Sequence, residues 1–291
     1  MTSLPAIRSI LFVPGIRPEF IPKALAAGAD ALVLDLEDSV SHHAKAEART
    51  HVATALRAAT ERLTFVRINH PDLGMLKEDL AVLAPHAMQV VLLPKAENTA
   101  EVAAVDRSLA EFEKVNGLDP NSISMVVVVE SSLGLRNLYD LVRAAPRVRG
   151  AALASAEEGD FIVDIGAQWT PDGTALAYAR GKFVCDARAA KAEWLLDGAF
   201  MNLTSAEALE RESRLARTCG FNGKMAIHPR QVAVMNNVFG PSAAEIERAH
   251  KLIAAFKVAE AQGRAAVQFE GMMVDYANVK RAERILAMAG A

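Results

Sequence analysis

Cysteine is scarce in this 291-residue chain: only Cys185 and Cys219 occur, and they form no C-x-x-C pattern. Neither a disulfide framework nor a cysteine-bound zinc site is therefore indicated, and reduced thiols in a cytosolic protein are the plain expectation. Aromatic residues make up 5% of the chain and are not interleaved with basic ones, which leaves a nucleic-acid surface without support. No apolar stretch approaches the roughly 18 residues that a membrane helix needs. The N-terminal apolar residues are interrupted by Arg8 and Arg17, so no uninterrupted targeting core is present. A cytoplasmic location with no membrane partner is the expectation. A formal net charge of −3 and a pI near 6.2 give no whole-chain attraction to nucleic acid or anionic lipid. A small anionic substrate would have to be held by local basic residues.

Several catalytic motifs are missing as well. There is no H-E-x-x-H, His42-His43 lies in a polar loop, and His70 and His86 are isolated, so histidine-bound zinc is disfavoured. Without G-x-S-x-G a hydrolase elbow drops out. Neither G-x-G-x-x-G after the first apolar run nor G-x-x-x-x-G-K-[ST] is present, which weakens an open, nucleotide-binding doubly wound sheet.

What is present is a buried-strand rhythm. Hydrophobic residues make up 52% of the chain and charged residues 23%, enough for a sizeable core. Short β-rich runs alternate with alanine-rich helical stretches. The runs are Ser9 to Val13, Ala31 to Leu34, Leu63 to Val66, Gln89 to Leu93, Met125 to Val129, Gly150 to Ser155, Ala199 to Leu203 and Lys224 to His228. Helical spans between them include Ile21 to Ala27, Ala44 to Thr60, Asn98 to Val115, Leu133 to Ala144 and Ala206 to Cys219. Eight such alternations predict an α/β chain closed as a (β/α)8 TIM barrel over residues 1–240. Residues 241–291 form an appendage. Ser242 caps a helix running to Ala261, with Glu245 at capping-box spacing. A hairpin turning at Gly271 follows, and a helix from Asn278 to Met288 closes the chain.

In such a barrel the C-terminal strand ends form one rim, where catalytic groups gather. Polar residues fall there at almost every strand: Asp35, Glu37, Asp38, Arg67, Asn69, Lys95, Glu130, Asp160 and His228. So many converging charges require a cation and a bound anion to balance them. Glu130 and Asp160 are candidate ligands for a hard cation such as Mg2+, against the alternative that Glu130 caps the helix from Leu133 and Asp160 begins one. Asp35 and Asp38 could hold metal-bound waters, or form a solvated acidic loop. Arg67 suits a bidentate carboxylate, or an ion pair with that same acidic loop. Arg8 and Lys23 could bind phosphate or a substrate carbonyl, or be ordinary surface bases. Lys95 at a strand end could instead form a Schiff base with a 2-oxo acid.

The motifs Arg8-Ser-Ile-Leu-Phe-Val-Pro14-Gly15, Asp35-Leu-Glu-Asp38, Arg67-Ile-Asn69, Leu93-Pro-Lys95, Val129-Glu130, Asp160-x-x-x-Asp164-Ile-Gly166, Gly220-Phe-Asn-Gly223-Lys224, Ile227-His228-Pro229-x-Gln231 and Gly271-Met-Met-Val-Asp275 occur in this order. Together they resemble the citrate lyase β-subunit-like proteins of the HpcH/HpaI aldolase group. The resemblance implies Mg2+, with Mn2+ as a substitute, held at Glu130 and Asp160, and a substrate carboxylate at Arg67. It implies making or breaking a carbon–carbon bond in a short 3-hydroxyacyl-CoA, with coenzyme A as part of the substrate and a 2-oxo acid as product. It further implies a homotrimer or a hexamer of trimers in which the appendage lids a neighbouring subunit's site and supplies Asp275 for proton transfer. A citrate lyase β subunit would also need an acyl-carrier partner. One departure stands out: many relatives read Gly-x-Glu-Asp at the sixth strand, whereas this chain reads Ser155-Ala-Glu-Glu-Gly-Asp160.

Overall fold

The apolar run before Glu130 forms strand β5 (Ser124–Val129), buried from Met125 onward, as a strand covered on both faces should be. In this computed structural model, which describes residues 4–58, 63–83 and 89–289, seven further strands share that character. They are β1 (Ser9–Pro14), β2 (Ala31–Asp35), β3 (Thr64–Arg67), β4 (Gln89–Leu93), β6 (Val148–Leu153), β7 (Trp194–Asp197) and β8 (Gly223–Ala226). Each pairs in parallel with the next, and β1 pairs with both β2 and β8, so the sheet closes. Residues such as Ile10, Val33, Phe65, Val126, Ala152 and Leu196 fill the barrel interior. This is a (β/α)8 TIM barrel.

Seven of the eight expected runs coincide with strands, and the seventh is a correction. The strand is Trp194–Asp197, not Ala199 to Leu203. All four of its residues are buried, whereas Met201 and Leu203 are each 48% exposed in the connection that follows. Gly198 ends the strand by approaching β6 closely: a Cβ there would lie 2.4 Å from the Ser155 amide nitrogen. The helix Ala177–Ala189 and the helix Pro229–Phe239 were not among the spans read from sequence. The expected helix end at Thr60 and the residue His86 lie outside the described residues.

The helices carry caps that matter for the site. Helix α4 (Thr99–Val115) starts at a capping box between Asn98 and Glu101. Helix α5 (Ser132–Arg143) is capped by Ser131, whose hydroxyl accepts from Gly134 N at 3.1 Å. The short α6 (Asp160–Asp164) has Gly159 at its N-cap and no side-chain cap. Glu130 is therefore not spent on capping, whereas Asp160 does begin a helix, as its first residue after Gly159.

By its internal contacts the chain divides into two compact units, the first ending at Asn236 and the second beginning at Asn237. The second unit contains α10 (Ala243–Ala261), an antiparallel hairpin of β9 (Val267–Phe269) and β10 (Met272–Val274), and α11 (Tyr276–Ala289). The Ser242/Glu245 capping box is formed. The hairpin turns on Glu270 and Gly271, with φ of 49° and 80°, the left-handed pair that matches strand twist. Among the described residues, no helix is long and apolar enough to cross a membrane.

Candidate active site at the strand ends

Asp35, the last residue of β2, lies beside Arg67, the last residue of β3, in parallel register. Their side chains meet as two forks: Nε to Oδ1 and Nη2 to Oδ2, each 2.7 Å. Asp35 also accepts the Glu37 amide at 2.9 Å and the Ser39 amide and hydroxyl, which shapes the acidic loop. Burial opposes the Asp35 charge, but Arg67, Ser39 and the Glu37 amide outweigh it, leaving the carboxyl below the ordinary aspartate range. Arg67 Nη1 reaches Glu37 Oε2 at 2.9 Å, and the guanidinium lies over the Phe12 ring at 5.2 Å. Burial pulls the Arg67 guanidinium down, yet Asp35, Glu37 and Glu130 raise it above its usual value, so it stays charged. Two of its five donors are committed, both to Asp35, and Nη1 faces Glu37 as an ion pair whose geometry is not that of a hydrogen bond.

Lys95 follows β4 in a left-handed conformation, φ 51°, that costs a non-glycine residue energy and turns its amide toward Glu130. That amide donates to Glu130 Oε1 at 3.1 Å. The Lys95 ammonium lies 2.8 Å from Glu37, 3.1 Å from Asp38 and 3.4 Å from Asp160. Burial acts to lower the ammonium's pKa, but the Glu37 and Asp38 carboxylates raise it overall. Glu37 itself is raised by burial, and by Asp38, against the pull of Arg67 and Lys95.

Glu130 is 8% exposed. Burial first, then the negative charge of Glu37, pushes its carboxyl up to about 7, against Arg67 and Lys95. One oxygen from each of Asp38, Glu130 and Asp160 lies within 4.8 Å of the others, the only such group among the described residues. Donors on an octahedral Mg2+ with ~2.1 Å bonds lie about 3.0 Å apart when adjacent and about 4.2 Å apart when opposite, so the three oxygens would draw together to hold that ion. The donor set, oxygen only, also suits it.

These groups line a cleft of about 870 Å³ with Lys45, Asn69, His70, Glu97, Ser131 and Asp164 on its walls. Lys45 Nζ donates to the Leu36 and Glu37 carbonyls, 2.7 Å each, and so holds the acidic loop from behind. Asn69 donates its backbone and side-chain amide hydrogens to Asp79, and its buried Oδ1 has no hydrogen-bond partner among the described residues. Lys45 carries no sequence signal as a site residue, because it opens the helix after the acidic loop and reaches Leu36 and Glu37 only when that loop folds back on it.

The structure thus brings Asp38, Glu130 and Asp160 to one cleft, sets Arg67 behind its wall, 2.9 Å from Glu37 and 3.8 Å from Asp38, and turns Asp35 away from the carboxylate group, into the Arg67 fork. Arg8 is elsewhere. It precedes β1 at the N-terminal rim and binds Asp30 with Nε at 2.8 Å and Nη2 at 2.7 Å. Lys23 is exposed on α1 (Ile21–Ala26), outside the residues lining the cleft. Burial, together with the charges of Arg230 and Lys23, lowers the His228 imidazole. The His228-Pro229-x-Gln231 motif builds a turn: Gln231 Oε1 accepts the Ile227 and His228 amides while its Nε2 donates to the Phe200 carbonyl. Within the second unit Asp275 and Asn278 cap α11 reciprocally, with Asp275 N to Asn278 Oδ1 at 3.0 Å and Ala277 N to Asp275 Oδ1 at 2.9 Å.

Known proteins share this architecture. The chain is 36% identical to the citrate lyase subunit beta of Leuconostoc mesenteroides subsp. cremoris, covering 98% of this chain and 93% of that one. It is 32% identical to a (3S)-malyl-CoA thioesterase of Cereibacter sphaeroides over 98% of this chain and 95% of the relative. The crystal structure of CitE from Mycobacterium tuberculosis in complex with magnesium, acetoacetate and coenzyme A superposes with a TM-score of 0.77 at 30% identity, covering 98% of this chain and 99% of that one. The family model for HpcH/HpaI aldolase/citrate lyase matches residues 8–229. With its barrel, its strand-end carboxylates and this match, the chain belongs to the HpcH/HpaI aldolase/citrate lyase family.

Proposed function

We propose that this protein is a Mg2+-dependent carbon–carbon lyase that splits, or forms, a short 3-hydroxyacyl-CoA such as citramalyl-, malyl- or citryl-CoA. The observation that carries the reading is the meeting of Asp38, Glu130 and Asp160 oxygens beside Arg67, a cation site next to a carboxylate fork. Bound there, Mg2+ would supply Lewis-acid charge to the substrate's hydroxyl and neighbouring carboxylate oxygens. The Arg67 donors outside the Asp35 fork would fix that carboxylate. Loss of the hydroxyl proton then breaks the bond between the carbinol carbon and the thioester α-carbon, releasing a 2-oxo acid and the enolate of acetyl-CoA or a related thioester. Arg67 and Lys95 place positive charge where negative charge develops. Asp275, delivered by a neighbouring copy in a trimer or hexamer, exchanges the proton at the α-carbon.

A Schiff base at Lys95 needs a neutral amine, and three carboxylates hold this one as ammonium. Borohydride with pyruvate is therefore expected to leave no reduced adduct. The Leuconostoc relative favours a second reading, a β subunit working on a carrier-bound thioester. A panel of citramalyl-, malyl-, methylmalyl- and citryl-CoA, each with and without Mg2+, tests the proposal. Release of a 2-oxo acid from one member supports it, and no cleavage of any member removes it.

A further inference from the structure

Asp164 has no task in the reaction proposed above. It follows Asp160 by four residues on α6, so the two carboxylates project from one helix face. Asp160 turns toward Asp38 and Glu130. Asp164 Oδ2 instead accepts the backbone N–H of Ser132 at 2.6 Å. Ser132 opens α5 and stands two residues after Glu130. One hydrogen bond therefore joins the segment that carries one carboxylate to the segment that carries the other.

The surroundings give that bond something to set. The Glu130 turn is gripped from the β4 side by the Lys95 amide, and by Ser131 Oγ, which donates to Glu97 at 2.5 Å. Gly134 packs so tightly against this side that a Cβ would lie 2.6 Å from the Ala96 carbonyl oxygen. On the other side, Phe161 and Ile162 bury α6 in the core, while its entry loop passes through Glu158 at φ 57°. Hydrophobic burial holds the helix down without fixing its slide along its own axis. The Ser132 amide supplies that directional constraint. Its hydrogen bonding also keeps the exposed Asp164 carboxyl below the usual range, so the acceptor stays charged.

We infer that Asp164 is a positioning residue: through Ser132 it sets the spacing between Glu130 and Asp160, and with it the affinity and selectivity for the divalent cation. The inference rests on the assignment of Glu130 and Asp160 as metal ligands. Calorimetric titration of the substrate-free, EDTA-stripped full chain with Mg2+ and with Ca2+ tests it on wild type, Asp164→Asn, Asp164→Ala and Glu130→Gln. Asp164→Ala is expected to weaken Mg2+ binding by about tenfold, as loss of an orienting partner does. Ca2+, which accepts longer and more variable bonds, should lose less. Asp164→Asn retains an amide oxygen for the Ser132 N–H and should bind Mg2+ close to wild type. Thermal midpoints should be unchanged, since the side chain is exposed. Wild-type affinity in Asp164→Ala, equal losses for Mg2+ and Ca2+, or an Asn variant as weak as Ala would each overturn the inference. If wild type takes no Mg2+, or Glu130→Gln binds it as tightly, the metal assignment itself fails and this inference falls with it.

Discussion

Arg67 and Asp35 hold each other fork to fork at the ends of adjacent strands, with both hydrogen bonds at 2.7 Å. The pair holds a permanently charged guanidinium beside Glu37 and Asp38 of the cleft wall, with its remaining donors outside the fork. Asp35→Ala strands a buried cation and is expected to destabilise folding by about 3 to 5 kcal/mol, measured by urea unfolding. Arg67→Lys keeps the charge but loses the planar fork. It should lower kcat/KM by about 100-fold through misplacement of the substrate carboxylate, with little change in Mg2+ affinity. An unimpaired Lys variant would remove Arg67 from the site.

Glu130 sets a pH dependence whose sign follows from its burial. Its carboxyl is raised from 4.5 to about 7, so between those values it is protonated in the folded protein and ionised in the unfolded chain. Its contribution to stability is present below about 4.5 and is lost as pH rises through about 7. In EDTA, wild type should lose stability across that interval relative to Glu130→Gln. Mg2+ affinity should climb over the same interval, because coordination needs the carboxylate. Urea unfolding of both proteins at stepped pH checks this, and parallel curves would contradict it.

Behind β7 and β8 lies a buried tetrad of charges. Asp197 takes Arg180 Nη2 at 2.9 Å and Lys224 Nζ at 2.6 Å, Glu212 takes the same two cations, and Ser155 Oγ donates to Asp197 at 2.8 Å. Two cations balance two anions, so removing one leaves an uncompensated buried charge. Lys224→Met is expected to cost about 3 to 5 kcal/mol, and the added change Glu212→Leu to recover much of it. Denaturant unfolding of the single and double variants decides, and strict additivity would refute the coupling.

Asp275 gives a complementation test of the neighbouring-copy arrangement. Asp275→Ala and Glu130→Gln should each be inactive alone, each retaining one half of the machinery. Mixed and allowed to exchange subunits, they should regain a measurable part of wild-type turnover. A mixture as inactive as its components would place Asp275 outside a shared site.

Much of the barrel was legible because a strand buried on both faces leaves a continuous apolar run, as Met125 to Val129 does. The seventh strand was misplaced because Trp194-Leu-Leu is short and the following Phe200, Met201 and Leu203 imitate a strand. What ends β7 is a close approach of Gly198 to Ser155, a contact between segments over forty positions apart in sequence. At the site, strand-end acids were visible, but their division of labour was not. Asp35 and Asp38 are three residues apart and look alike in sequence, yet strand register delivers Asp35 to Arg67, and the loop beyond it carries Asp38 to Glu130 and Asp160. Arg8 looked like a site residue because it adjoins β1. A parallel strand has two ends, and Arg8 lies at the wrong one.

The central claim is that a divalent cation held by Glu130 and Asp160 is required to break the substrate's carbon–carbon bond. Single-turnover cleavage of the best substrate in the acyl-CoA panel, followed as 2-oxo acid release while EDTA-stripped protein is titrated with Mg2+, tests it most directly. Cleavage should rise in proportion to calorimetric Mg2+ occupancy, and be absent from Glu130→Gln at Mg2+ levels that saturate wild type. Full-rate cleavage in EDTA, or by Glu130→Gln, would contradict the account.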